Sequence, residues 1–218
     1  MMPDIAFLHT GTIHIETFGV LMHELAPELR LHHTVREDLL QEAQVNGITV
    51  ELAQRIEAAM GNAAESGARV VVCTCSTIGN PAEGMVTGGA FRAMRIDRAM
   101  ADAAVQHGRI LIVAALESTL GPTLELVKSS AEKLKQSPHI SCEFIPAVWA
   151  HFVSGDMDRY CGGIVAYLET QCNGYDVIVL AQASMAPAAV LCKDIGIPVL
   201  SSPRLGVEAA IEAFINED

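Results

Sequence analysis

Short apolar runs alternate along this chain with longer stretches in which apolar residues recur every three to four positions. Residues 4–9, Asp4-Ile5-Ala6-Phe7-Leu8-His9, read as a first strand, and Gly11 permits the tight turn that follows. A helical stretch near residues 18–25 stops at Pro27, and residues 29–35 read as a second strand. Leu39, Leu40 and Ala43, then Leu52, Ile56, Ala59 and Met60, fall at helical spacing, so residues 36–46 and 49–66 predict two helices divided at Asn46-Gly47. The run Val70-Val71-Val72-Cys73 predicts a strand buried on both faces that leaves its sheet at Thr74-Cys75-Ser76-Thr77. A Gly-rich loop over 79–89, a short segment over 91–96 and a helix over 97–106 follow, with Gly108 ending the helix.

From Arg109 the pattern restarts. A strand over 110–115, a loop at Leu116-Glu117-Ser118-Thr119 and a helix reaching Gln136 lead to a strand over 142–148 and a helix over 157–171. Residues 177–180 repeat the central strand, and 188–195 its helix; 199–200 form a last strand and 205–215 a closing helix. This order predicts an α/β protein of two pseudosymmetric, doubly wound parallel-sheet lobes with the active site in the cleft between them. The first lobe comprises 1–97 plus 202–218 and the second 98–201.

Composition narrows the classes. With 26 acidic against 14 basic residues and a net charge of −12, no basic cluster exists to neutralise a phosphate backbone, so nucleic acid and anionic membrane are excluded as partners. Half the residues are hydrophobic, yet no run of about 18 apolar residues occurs and the amino terminus lacks a secretory pattern, so a cytoplasmic protein is expected. The chain is compatible with a homodimer. Cys142, Cys161, Cys172 and Cys192 sit irregularly inside apolar segments and read as buried, reduced thiols. Cys73-Thr74-Cys75 lacks a second pair at zinc spacing, and His14, His23, His32 and His33 lack ligand spacing, so no metal or other cofactor is expected.

The candidate chemistry lies at strand ends. Cys75 follows a buried strand and precedes hydroxyls and a helix start, a setting that activates a thiol and suits a small carboxylate substrate. In a doubly wound sheet the first and third strands are neighbours, so His9 is placed to pair with Cys75 as imidazolium with thiolate. Thr10, Thr12, Ser76, Thr77, Thr119 and Ser184 are carboxylate-binding candidates whose plain alternative is helix capping. Gln182, a polar amide directly after a strand, needs partners that a substrate can supply. Asp97 and Glu117 read as helix starters. Sliding residues 176–187 onto 69–81 sets Ser184 on Ser76 and Ala183 on Cys75, so the second copy lacks the thiol.

These residues resemble the aspartate/glutamate racemase superfamily, which includes hydantoin racemases, maleate isomerases and arylmalonate decarboxylases. Cys75-Ser76-Thr77 is similar to its first cysteine motif, residues 180–187 fall at its second, His9-Thr10-Gly11 stands where many members have Asp-Ser-Gly, and Thr119 looks like the threonine opening the second lobe's first helix. Met94-Arg95-Ile96-Asp97 and the 180–185 phrase resemble an uncharacterised racemase-like branch. The resemblance implies cofactor-independent chemistry at the carbon next to a carboxylate, performed in the family's racemases by two thiols. Here Cys75 is the one thiol and Ala183 takes the second one's place. A racemase-like isomerase is the first expectation. An arylmalonate-type decarboxylase, a cis–trans isomerase of a diacid and a non-catalytic carboxylate-binding protein are the alternatives.

Overall fold

A computed structural model of the chain describes residues 2–216. It divides into two compact units: one runs to Asp97 and resumes at Pro203, and the other is Arg98–Ser202. Each unit holds a four-stranded, all-parallel sheet.

In unit 1 the strands β1 (Ile5–His9), β2 (Leu31–Val35), β3 (Val70–Cys73) and β4 (Arg92–Arg95) lie in the order β2-β1-β3-β4. The two central strands are buried along their whole length, as a sheet covered on both faces requires. Alternation along them builds two layers. Ala6, Leu8, Val71 and Cys73 pack with α2 (Glu37–Asn46), α3 (Val50–Ala64) and α4 (Gly79–Gly84), through Leu39, Leu52, Ile56, Met60 and Ala82. Phe7 turns the other way and stacks on Phe18 of α1 (Ile13–Leu25) with ring centroids 5.4 Å apart. Thr49 caps α3 by accepting from the Leu52 N–H at 3.1 Å.

Unit 2 repeats the arrangement with β5 (Arg109–Ala114), β6 (His139–Phe144), β7 (Val177–Leu180) and β8 (Val199–Ser201) in the order β6-β5-β7-β8. Helices α5 (Arg98–Ala104), α6 (Leu120–Lys133), α7 (Pro146–Val153), α8 (Met157–Gln171) and α9 (Ala186–Leu191) accompany it. Tyr160, Ile164 and Leu168 of α8 pack with Leu111, Val113, Ile178 and Leu180. The last helix, α10 (Ser202–Ile215), returns to unit 1. Gly206 makes that return close, because a Cβ there would stand 2.1 Å from the Ile96 carbonyl oxygen.

Several elements differ from their sequence expectation. Residues 79–84 form helix α4 where a Gly-rich loop was expected, and residues 92–95 are the edge strand β4. The strand expected over 142–148 ends at Phe144, because Pro146 opens α7 at a position where its fixed φ suits a helix. Helix α1 begins at Ile13, ahead of the Phe18 start, and its early β-branched residues Ile13 and Ile15 are exposed. Cys142 is also exposed, on edge strand β6, and Cys172 is half-buried, against the expectation of buried thiols; all six cysteines are free. Among the described residues no helix is long and apolar enough to cross a membrane.

Candidate functional site

The geometry of each strand end follows from the ladders. In unit 1, Leu8 pairs with Cys73, and the Thr74 N–H donates to the Leu8 carbonyl at 3.0 Å. In unit 2, Val113 pairs with Leu180, and the Ala181 N–H donates to the Val113 carbonyl at 2.9 Å. Thr74 therefore corresponds to Ala181, and Cys75 to Gln182. Both short helices then begin four residues further on, at Gly79 and Ala186. The sequence alignment that set Ala183 on Cys75 is thus corrected by one residue: it was anchored on a shared serine, whereas the backbone hydrogen bonds align the strands themselves. The residue of unit 2 that corresponds to Cys75 is therefore Gln182, a carboxamide.

That amide is committed inside unit 2. Gln182 Oε1 accepts from the backbone N–H groups of Ala115 and Leu116 at 2.7 and 2.8 Å, bracing the turn after β5. The corresponding groups of unit 1 are the N–H groups of Thr10 and Gly11, two and three residues beyond Leu8. Neither has a hydrogen-bond partner among the described residues. The two units share one turn, which a carbonyl oxygen fills in unit 2 and no side chain fills in unit 1.

Cys75 is half-buried and packs against the core layer of α3, on the side to which Cys73 also points. His9 belongs to the opposite layer. Its ring stacks on His33 and Phe18 with centroids 5.2 and 5.6 Å away. Its Nδ1 is 2.8 Å from Thr74 Oγ1 and its Nε2 is 2.9 Å from His33 Nδ1. Thr74 Oγ1 also lies 3.2 Å from the Leu8 carbonyl oxygen, to which it donates. With that hydroxyl proton spent, His9 Nδ1–H donates to Thr74 and His33 Nδ1–H donates to His9 Nε2, an assignment of tautomers that satisfies every partner. Burial, then the nearby His33 and His14 rings, pull the His9 pKa down to about 3. His9 is therefore neutral at pH 7, and the expected imidazolium–thiolate pair with Cys75 is replaced by a His33–His9–Thr74 chain. The physical reason is the two-residue period of a strand: β1 and β3 are neighbours, as expected, but His9 and Cys75 point into different layers.

The hydroxyl candidates separate in the same way. Thr119 donates to the Leu116 carbonyl at 2.6 Å, and Ser184 is 3.0 Å from the hydroxyl of Tyr160, a fully buried residue whose pKa burial pushes up to about 12. Thr77 Oγ1 is buried with no hydrogen-bond partner among the described residues. Ser76 is buried, with its carbonyl accepting from Arg95 Nη2 at 3.2 Å, and Thr10 is half-buried at the end of β1. None of Thr12, Thr119 or Met185 caps its helix through a side chain.

Sequence reasoning passed over two groups. His33, noted in the sequence only as lacking metal-ligand spacing, holds His9. Asp97, read as a helix starter, forms a two-pronged ion pair with Arg95 (Nε–Oδ1 2.7 Å, Nη2–Oδ2 3.0 Å), both side chains being at most 2% exposed. An arginine in an apolar strand with an acid two residues on was the available signal, and removing either partner of such a buried pair costs about 3–5 kcal/mol. Among the described residues no cluster of three or more His, Cys, Asp or Glu side chains is disposed to hold a metal.

No family model and no curated protein matches the sequence. Solved structures do match. The glutamate racemase isoform RacE1 of Bacillus anthracis superposes with a TM-score of 0.74 at 13% identity, covering 99% of this chain and 82% of that one. The aspartate racemase of Picrophilus torridus gives 0.68 at 13% identity over 97% and 93% of the two chains, and an arylmalonate decarboxylase 0.64 at 14% over 97% and 92%. Paired four-stranded parallel sheets flanked by helices, matched over nearly the whole chain, give this protein the α/β fold seen in the aspartate and glutamate racemases and in arylmalonate decarboxylase.

Proposed function

We propose that this chain is a cofactor-independent, racemase-like isomerase of the aspartate/glutamate racemase superfamily, acting at the carbon next to the carboxylate of a small acid or amino acid with Cys75 as its one thiol. The observation that carries this reading is the asymmetry of the two turns: Gln182 fills in unit 2, with a carbonyl oxygen, the N–H pair that Thr10 and Gly11 leave open beside the β3 strand end. A carboxylate oxygen would bind the open pair as that oxygen binds the filled one, with the charge strengthening both hydrogen bonds. Thr77 Oγ1, buried and unpartnered, is a further donor on the same strand end.

In the proposed reaction the Cys75 thiolate takes the proton from the carbon next to the carboxylate. The C–H bond breaks, an S–H bond forms, and the electron pair passes into an enolate held by the N–H and hydroxyl donors. Return of a proton from sulfur restores the starting configuration. With a single thiol assigned, protonation of the other face falls to water. Proton exchange should outrun racemisation.

The single thiol also suits loss of carbon dioxide from a malonate, where one acid protonates the enolate. Both reactions are read in one experiment: amino acids, hydroxy acids and arylmalonates are incubated in deuterium oxide and followed by proton NMR, optical rotation and carbon dioxide release. The isomerase reading expects deuterium to enter an amino or hydroxy acid faster than rotation is lost, and Cys75→Ala to slow this by about 10²–10⁴-fold, the range a positioned acid or base supplies. Carbon dioxide release without exchange would select the decarboxylase. Exchange that survives in Cys75→Ala would reject Cys75 as the acid-base residue, and no reaction on any acid would reject both readings and leave a carboxylate-binding protein.

A further inference from the structure

The peptide planes around Cys75 are held from behind. Its carbonyl accepts from the Cys73 thiol at 3.7 Å, and the next carbonyl, that of Ser76, accepts from Arg95 Nη2 at 3.2 Å and from the Gly79 N–H at 3.4 Å. In a trans peptide the C=O and the following N–H point in opposite directions. Drawing these carbonyls inward therefore turns the N–H groups of Ser76 and Thr77 away from the sulfur of Cys73 and the guanidinium.

The guanidinium has little freedom of its own. Strand register sets Arg95 beside Cys73, and Asp97 grips its Nε and Nη2 in a fork. Its flank lies against the Gly79 backbone, where an added Cβ would come within 2.8 Å of Nε. Three constraints thus converge on one Nη2–H···O bond to Ser76. A planar fork can meet the carboxylate and the carbonyl together, whereas a lysine ammonium is a point donor without that geometry.

We propose that Arg95, locked by Asp97 and seated on Gly79, is a positioning residue that, through the Ser76 carbonyl, sets the direction of the Thr77 N–H and so makes the Cys75 turn selective for carboxylates. This rests on the reading that Cys75 works on a carboxylate. Arg95 acts through the backbone and touches no substrate.

Two alkylating agents that differ only in a carboxylate test it. Iodoacetate and iodoacetamide each form an S–C bond to the thiol and expel iodide, and the ratio of their rates at Cys75 is measured by mass spectrometry against that of N-acetylcysteine. Charge-assisted hydrogen bonds from the turn should raise the iodoacetate-to-iodoacetamide ratio about tenfold over the reference in the parent. In Asp97→Asn and Gly79→Ala it should fall to within about twofold of the reference, with Arg95→Lys between. Asp97→Asn separates positioning from simple electrostatics, since removing a negative charge would by field alone raise the ratio. Gly79→Ala displaces the guanidinium while changing no charge, and circular dichroism verifies that each variant is folded. A tenfold preference surviving in either folded variant overturns the role of Arg95 and leaves the reading of the Cys75 site standing. No preference in the parent overturns that reading, and this inference with it.

Discussion

Gln182 offers a measurable account of what one buried oxygen contributes. Gln182→Met nearly conserves volume and chain shape but removes the acceptor from two backbone donors. Ala115 is 1% exposed, so its N–H would lose its partner with no route to water, at about 1–3 kcal/mol. Leu116 is half-buried, and its N–H recovers part of its hydrogen bonding from solvent. The two together amount to about 2–4 kcal/mol, against less than about 1.5 kcal/mol for a volume-conserving swap that strands nothing. The one tryptophan of the sequence, Trp149, lies on α7 and packs on the core of unit 2, so its fluorescence in urea reports the unit that contains Gln182. With a slope of about 2 kcal/mol per molar, the midpoint should fall by about 1–2 M. A fall below about 0.3 M would refute the reasoning, since water would then be serving both donors as well as the amide does.

Two further outcomes follow from the geometry. Gly206→Ala should cost unit 1 about 3 kcal/mol, the upper end for overpacking, because the atom met is a backbone oxygen with no rotamer to change; circular dichroism should show an early transition, and an unchanged midpoint would mean that α10 does not pack on Ile96 as described. Acid should also destabilise the fold: the folded pKa of His9, about 3, lies below its ordinary value of 6.5, so the unfolded chain binds the proton first and stability present above pH 6.5 is lost as pH falls toward 3, at up to about 1.4 kcal/mol per unit. Burial lowers the His33 and His14 pKa values too and adds in the same direction, so His9→Gln should flatten the decline between pH 6.5 and 4.5; an equally steep decline would remove His9 as its main source.

The apolar runs by themselves determined that this is an α/β chain. Val70-Val71-Val72-Cys73 and its echo Val177-Ile178-Val179-Leu180 could only be strands covered on both faces, and the restart at Arg109 marked a second sheet of the same kind. Local chemistry also marked Cys75, Thr77 and Gln182 as residues standing at strand ends. Tertiary structure decided what each of them meets. Neighbouring strands brought His9 and Cys75 to adjacent ends, but side-chain alternation sent them to opposite layers, and a partner 24 residues away, His33, completed the histidine chain. The residue of unit 2 that corresponds to Cys75 was legible only in the ladder, because sliding two short segments rewards shared serines while hydrogen bonds align backbones. Arg95 and Asp97 were visible as letters, yet their meaning depended on β4 lying beside β3 and on a glycine leaving room for a guanidinium. Patterning along a chain reports which face a residue takes within its own element, and the groups that face each other belong to elements whose register is set when the sheet assembles.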